Sequence, residues 1–365
     1  MELSQATFED HTPSESELEG GLTLVPERQS LLRARIKDLK LQLAGTPLER
    51  LIQQLYSELA ARQIDLRPQC YLSDEWGCPS GVPVIGVPFY LANPHLHLIE
   101  EELGGGFESE NDIRMTLRHE AGHAFCYAYK LYETLEWRAL FGDYDAPYRD
   151  DFKAKPFSRK YVVHIPGWYA QKHPDEDFAE TFAVWMTPES QWRERYKAWP
   201  ALKKLQYVEE MVQRLGHAPA LMQLSERDLE VNDMEQTVAD FYRLRDLDEK
   251  VDVALGEKLD QELLQLFEPS GKAEQSAYGV LKRERQNLIQ AVSQFAGVNR
   301  AVVRSVVDHL LVRLKALDLT TGGKLSSPTL ARLSALVTAL VMNYLYTGRF
   351  VDTDDNTADN ARRGP

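Results

Sequence analysis

The chain has 365 residues, 43% of them hydrophobic, and a formal net charge of −14. That apolar content supports a buried core and excludes a disordered chain, while the acidic balance disfavours sequence-independent nucleic-acid binding and docking on anionic membrane, both of which need a basic surface. Cys70, Cys78 and Cys126 make no disulfide framework, and the acidic N-terminus lacks the apolar stretch of a signal peptide, so a reducing, cytoplasmic setting is expected.

In chain order, residues 1–27 are polar and acidic and read as a disordered arm. Over residues 28–65, Leu31, Leu32, Ile36, Leu39 and Leu43, then Leu48, Leu51, Ile52, Leu55 and Leu59, recur at helical spacing. Gly45-Thr46-Pro47 separates the two runs as a stop and restart, which predicts a helical hairpin. Residues 66–225 read as an α+β core, a small sheet with an active-site helix packed on it. Within it, Val82 to Leu91 is β-branched and aromatic, and Pro83 and Pro88 predict an edge strand beside the cleft, where a peptide could add as a further strand. His95 and His97 read as loop residues. Helices are expected from Asn111 to Tyr132, after Gly104-Gly105-Gly106, from Pro174 to Met186, and again between Pro188 and Leu215.

From residue 226 to 350 helical periodicity dominates and predicts an all-helical C-terminal domain, a candidate surface for a protein partner. Leu333 to Tyr346 is apolar but shorter than the roughly 20 residues that span a bilayer, and reads as a buried helix. Arg300, Arg304 and Arg313 read as a solvated face, and residues 351–365 as a disordered tail.

The chemistry concentrates in two segments. Arg118-His119-Glu120-Ala121-Gly122-His123-Ala124 carries HExxH. Residues four apart on a helix share one face, so His119 and His123 can reach one zinc ion while Glu120, on the adjoining edge, serves as general base. Ile113, Leu117, Ala121, Ala124, Ala128 and Leu131 form an apolar stripe on the opposite side, and small residues at 121, 122 and 124 leave room for another element. A catalytic zinc needs a third protein ligand. Cys126 and Tyr129 occupy the positions where a metzincin would have glycine and histidine, so that class is excluded; Cys126 reads as a buried thiol. The third ligand is sought in His173-Pro174-Asp175-Glu176-Asp177-Phe178-Ala179-Glu180-Thr181, where Glu176 and Glu180 share a helical face. Asp177 and Glu180 remain rivals to Glu176, and His164 and His173 are further candidates.

HEAGH followed by EDFAETFA resembles the gluzincin metallopeptidases of the lethal-factor and Pro-Pro-endopeptidase type, and most of all the family described as putative zinc-binding metallopeptidases. The resemblance covers about residues 70–190. It implies a zincin-like core, zinc held by His119, His123 and Glu176, and Glu180 supporting the site from behind. It also implies a catalytic tyrosine seven residues before the ligand glutamate, which is Tyr169. The expected function is hydrolysis of a peptide or protein substrate through a zinc-activated water. The alternative is a non-catalytic zinc-stabilised binding module or a helical interaction protein.

Overall fold

A computed structural model describes residues 27–103, 108–148, 152–222, 226–248, 255, 257–269, 276–298, 300–321 and 327–350. The acidic arm, the triple-glycine loop and the polar tail expected at 1–27, 104–106 and 351–365 lie outside these residues, except for Glu27. The described part is α+β: mostly helical, with two small two-stranded sheets.

Of the expected N-terminal hairpin, the second arm is one helix and the first is helical only over residues 27–33. A 3-10 turn follows at Ile36–Leu39. Between them Arg35 bridges Thr237, and Ile36 N–H donates to Gln236 O. This long-range pairing takes the backbone groups a helix would need, and overrides the local periodicity. The second arm, α1 (Pro47–Ala61), starts with Pro47 in its first turn and buries Leu48, Leu51, Ile52, Leu55 and Leu59.

Strand β1 (Gln69–Ser73) runs parallel to β2 (Val84–Pro88). All five β2 residues are buried, and its free side is met at Gly86 by Gly77 in an antiparallel bridge. The 82–91 stretch is therefore not the open edge expected from its prolines; beyond Pro88 it turns into a 3-10 segment, Phe89–Ala92. Helix α2 (Pro94–Leu103) carries His95 and His97, in place of the expected loop.

Helix α3 (Glu110–Ala128) opens with a capping box in which Ser109 and Asp112 bond each other's backbone N–H. Its second half, residues 119–128, is buried all round rather than along one stripe. After α4 (Leu135–Phe141) and a 3-10 turn at Tyr169–Gln171 comes α5 (Pro174–Met186), where the sequence placed it. The expected helix after Pro188 is a single turn, Trp192–Arg195, followed by α6 (Leu202–Leu215).

Helix α7 (Val238–Asp248) still belongs to this first body: Val231, Met234, Val238, Phe241 and Tyr242 join the apolar cluster that starts at Ile36. A second cluster runs from Leu255 to Phe350. The cores thus divide between residues 242 and 255, whereas composition places the change at 225. The second cluster is built by α8 (Asp260–Leu266), α9 (Ala277–Ala296), α10 (Arg300–Ala316) and α11 (Ser327–Thr347). A short antiparallel pair, β3 (Glu268–Pro269) with β4 (Leu319–Thr320), is an addition that helical periodicity did not suggest. Arg313, expected on a solvated face, instead forks onto Asp260 at 2.9 and 2.6 Å. Helix α11 contains the apolar stretch from Leu333 to Tyr346. Over Pro328–Thr347 it is long and apolar enough to cross a membrane by length and composition, but Leu333, Val337, Leu340 and Val341 are buried in the second cluster.

Candidate metal centre

The site is made where α3 and α5 press together. Gly122 is the reason they can. A Cβ at that position would lie 2.8 Å from Ala179 Cα and 3.1 Å from Phe182 Cβ, so only glycine permits this approach. Phe125 stacks on Phe182 one turn further along. Beside His119, Arg118 forks onto Glu58 at 2.7 and 2.8 Å and ties α3 to α1.

At this crossing three donor atoms converge. His119 Nε2 lies 2.9 Å from Glu176 Oε2, His123 Nε2 lies 3.3 Å from the same oxygen, and the two nitrogens are 3.1 Å apart. All three residues are buried. A tetrahedral zinc with bonds of about 2.0–2.1 Å would set its ligand atoms about 3.3–3.4 Å apart, so the triangle fits such an ion with little adjustment. Asp175, Glu176 and Asp177 in the first turn of α5 sit at the positive end of its dipole.

A second ring of side chains fixes the first. Glu180, fully buried, reaches His119 Nδ1 at 3.0 Å and accepts backbone N–H groups from His164 and Ile165 at 3.0 and 2.9 Å. Holding Nδ1 leaves Nε2 to face the other donors. Asp175 does the corresponding work on His123: Oδ2 lies 3.2 Å from Nδ1, an ion-pair contact without hydrogen-bond alignment, and accepts Tyr127 O–H at 2.5 Å. Two phenols, Tyr148 and Tyr169, donate to the remaining oxygen of Glu176 at 3.1 and 3.4 Å.

Electrostatics follow this arrangement. Burial pulls the His119 imidazolium down, but its bonds to Glu176 and Glu180 outweigh that and raise it to about 9. Burial likewise opposes charge on His123, yet Asp175 and Glu176 hold it well above its usual value. Burial would raise Glu176, but the two histidines hold it well below the carboxylate range. The site therefore recruits positive charge. Burial pushes Glu120 upward, and its Oε2 has no hydrogen-bond partner. Burial raises the Tyr169 phenol, with Glu176 adding to the shift, so it stays protonated.

These groups line a cleft of about 220 Å³ walled by Trp76, Gly77 and Cys78 on one side and by Ile165 and Tyr169 on the other. The wall beside Glu120 is thus the 76–78 segment, with Cys78 Sγ 3.4 Å from Glu120 O, and not the 82–91 strand. Of the rival ligands, Glu180 meets His119 from behind, and the others face elsewhere. Asp177 pairs with Lys204 from α6, and burial lifts it to about 7. His164 Nε2 bonds Met115 O, and His173 caps α5 by accepting Asp175 N–H while bonding Ala146 O. Cys126 is fully buried. Asp175, Tyr148 and the 76–78 wall escaped the sequence reading. Asp175 adjoins Glu176 and could have been weighed beside Asp177, whereas Tyr148 and Trp76 stand outside any motif spacing.

No curated protein and no solved structure matches the chain. Residues 113–255, which hold both motifs and end where the first apolar cluster gives way to the second, match the family model described as putative zinc-binding metallo-peptidase.

Proposed function

We propose that the protein is a zinc-dependent peptidase that hydrolyses peptide bonds, with His119, His123 and Glu176 as the ligands and Glu120 as general base. The observation that carries the reading is Glu120 itself: one residue from a ligand, 5% exposed, with an unpartnered oxygen in the cleft. A purely structural zinc has four protein ligands and no use for such a base; among the described residues the cluster offers three. When bound, zinc supplies the Lewis acidity that polarises a peptide carbonyl and acidifies water at neutral pH. Glu120 accepts the proton of the attacking water and returns it to the leaving amine. Tyr169, protonated and close to Glu176, donates to the oxygen that gains charge. Glu180 and Asp175 hold the two imidazoles in register from behind. The substrate is a peptide or protein, bound along the Trp76–Cys78 wall. Three unpaired thiols, Cys70, Cys78 and Cys126, support a reducing, cytoplasmic setting.

The test is Glu120→Gln. The amide cannot take a proton, but all three ligands remain, so the variant should keep about one zinc per chain and lose cleavage of a peptide library that the wild type cuts. Wild-type cleavage by Glu120→Gln would end the proposal.

A further inference from the structure

The catalytic phenol follows a backbone that needs holding. Gly167 and Trp168 both lie in the left-handed region, at φ 95° and 54°. A bulky residue there costs of order 1–3 kcal/mol and persists only when its surroundings enforce it. Phe157 meets Trp168 edge-on at 5.3 Å between ring centroids, and Gly297 of the second body lies against the ring. A Cβ on Gly297 would lie 2.7 and 3.0 Å from two atoms of the Trp168 ring and 3.7 Å from Ala154 Cβ. The indole is 6% exposed. Gly297 is itself the left-handed cap that ends α9, at φ 69°. The loop's other end is already fixed, since Glu180 accepts the N–H groups of His164 and Ile165.

We propose that the C-terminal helical body positions Tyr169: the bare backbone of Gly297 seats the Trp168 ring, and that seating fixes the turn from which Tyr169 reaches the cleft. Gly297 and Trp168 are positioning residues, acting through Tyr169 rather than on substrate. The inference rests on the role proposed above for Tyr169. It gives the C-terminal body a part in activity although no proposed ligand lies beyond Glu180.

The experiment uses the full chain, zinc-loaded. Gly297→Ala pushes the ring, and Gly348→Ala is its control: Gly348 has the same left-handed strain, φ 74°, in the same body, with nothing within 4 Å. Two readouts are taken. One is kcat and KM on a quenched fluorogenic peptide that the wild type cleaves. The other is the rate at which tetranitromethane nitrates Tyr169, read by peptide mapping, which needs no activity. Gly297→Ala should lower kcat on the order of 10–100-fold, as misplacement by about an ångström does, with KM and zinc content near wild type and Tyr169 nitrated several times faster. Gly348→Ala should change neither readout. Combined with Tyr169→Phe, Gly297→Ala should add no further loss, because both act through one group. Wild-type kcat and nitration in Gly297→Ala, equal losses in Gly348→Ala, or losses that multiply in the double variant would each overturn the inference. Should Gly297→Ala fold poorly, Gly297→Asn applies the same push with a residue that tolerates this backbone, and is read the same way. A Tyr169→Phe enzyme with full turnover removes the role of Tyr169 instead, and nitration still decides whether Gly297 places that side chain.

Discussion

Replacing Gly122 by alanine tests the central claim, that the site exists because α3 and α5 touch backbone to backbone. The added Cβ would sit 2.8 Å from Ala179 Cα and 3.0 Å from Ala179 O. Carbon atoms pack best at about 3.5–4.0 Å, so the helices must part by about 0.7–1.2 Å at this point. Ala179 is backbone on the helix that carries Glu176 and Glu180, so the relief cannot come from a flexible side chain. Overpacking of this kind costs about 1–3 kcal/mol, against which the better helix propensity of alanine returns up to about 1 kcal/mol. The net loss of stability is therefore roughly 0–3 kcal/mol from the same two terms. The loss of metal affinity is larger, because binding geometry tolerates only about 0.5 Å and both Glu176 and Glu180 move together. Zinc affinity should fall at least about tenfold, the lower end for a lost supporting contact. Competition with a chromophoric chelator measures the affinity, and thermal unfolding of metal-free protein measures the stability. A Gly122→Ala protein with wild-type zinc affinity would refute the reasoning.

Three further outcomes are expected. Glu176→Ala should abolish tight zinc binding while Glu180→Ala weakens it about 10–100-fold; the reverse order, read by the same competition, would mean that the two roles are exchanged. A chain ending after residue 248 should fold and keep its zinc, since the first apolar cluster is complete by Tyr242, and a soluble, folded fragment without metal would count against that division. In metal-stripped protein, His119 is raised to about 9 by Glu176 and Glu180. Its contribution to stability is fully present below the unfolded value near 6.5 and is lost as pH rises through 9. The melting temperature of the stripped protein should therefore fall across that window, and a flat or rising profile would show that His119 is not held as a cation there.

By itself the sequence determined the two motif helices and the shared face of His119 and His123, while Glu176 as the third donor was implied by the family resemblance. Four-residue spacing in HExxH, Pro174 in a first turn, and small residues at 121, 122 and 124 are local signals, and local signals survive folding. His119 and His123 converge with Glu176, the third donor that the resemblance implied, and Glu180 stands behind His119. The tertiary structure alone decided the rest. Asp175 and Asp177 flank the ligand at steps of about 100° around the helix, and only the placement of α3 selects Asp175 for the site while α6 claims Asp177 through Lys204. Residues 34–37 lost their helical periodicity to a strand-like pairing with 234–238, some 200 positions away. The cleft wall passed from the proline-marked strand to Trp76–Cys78 because Gly77 covers that strand's open side. Each of these turns on a partner distant in the chain, and periodicity carries no information about which distant surface a face will meet.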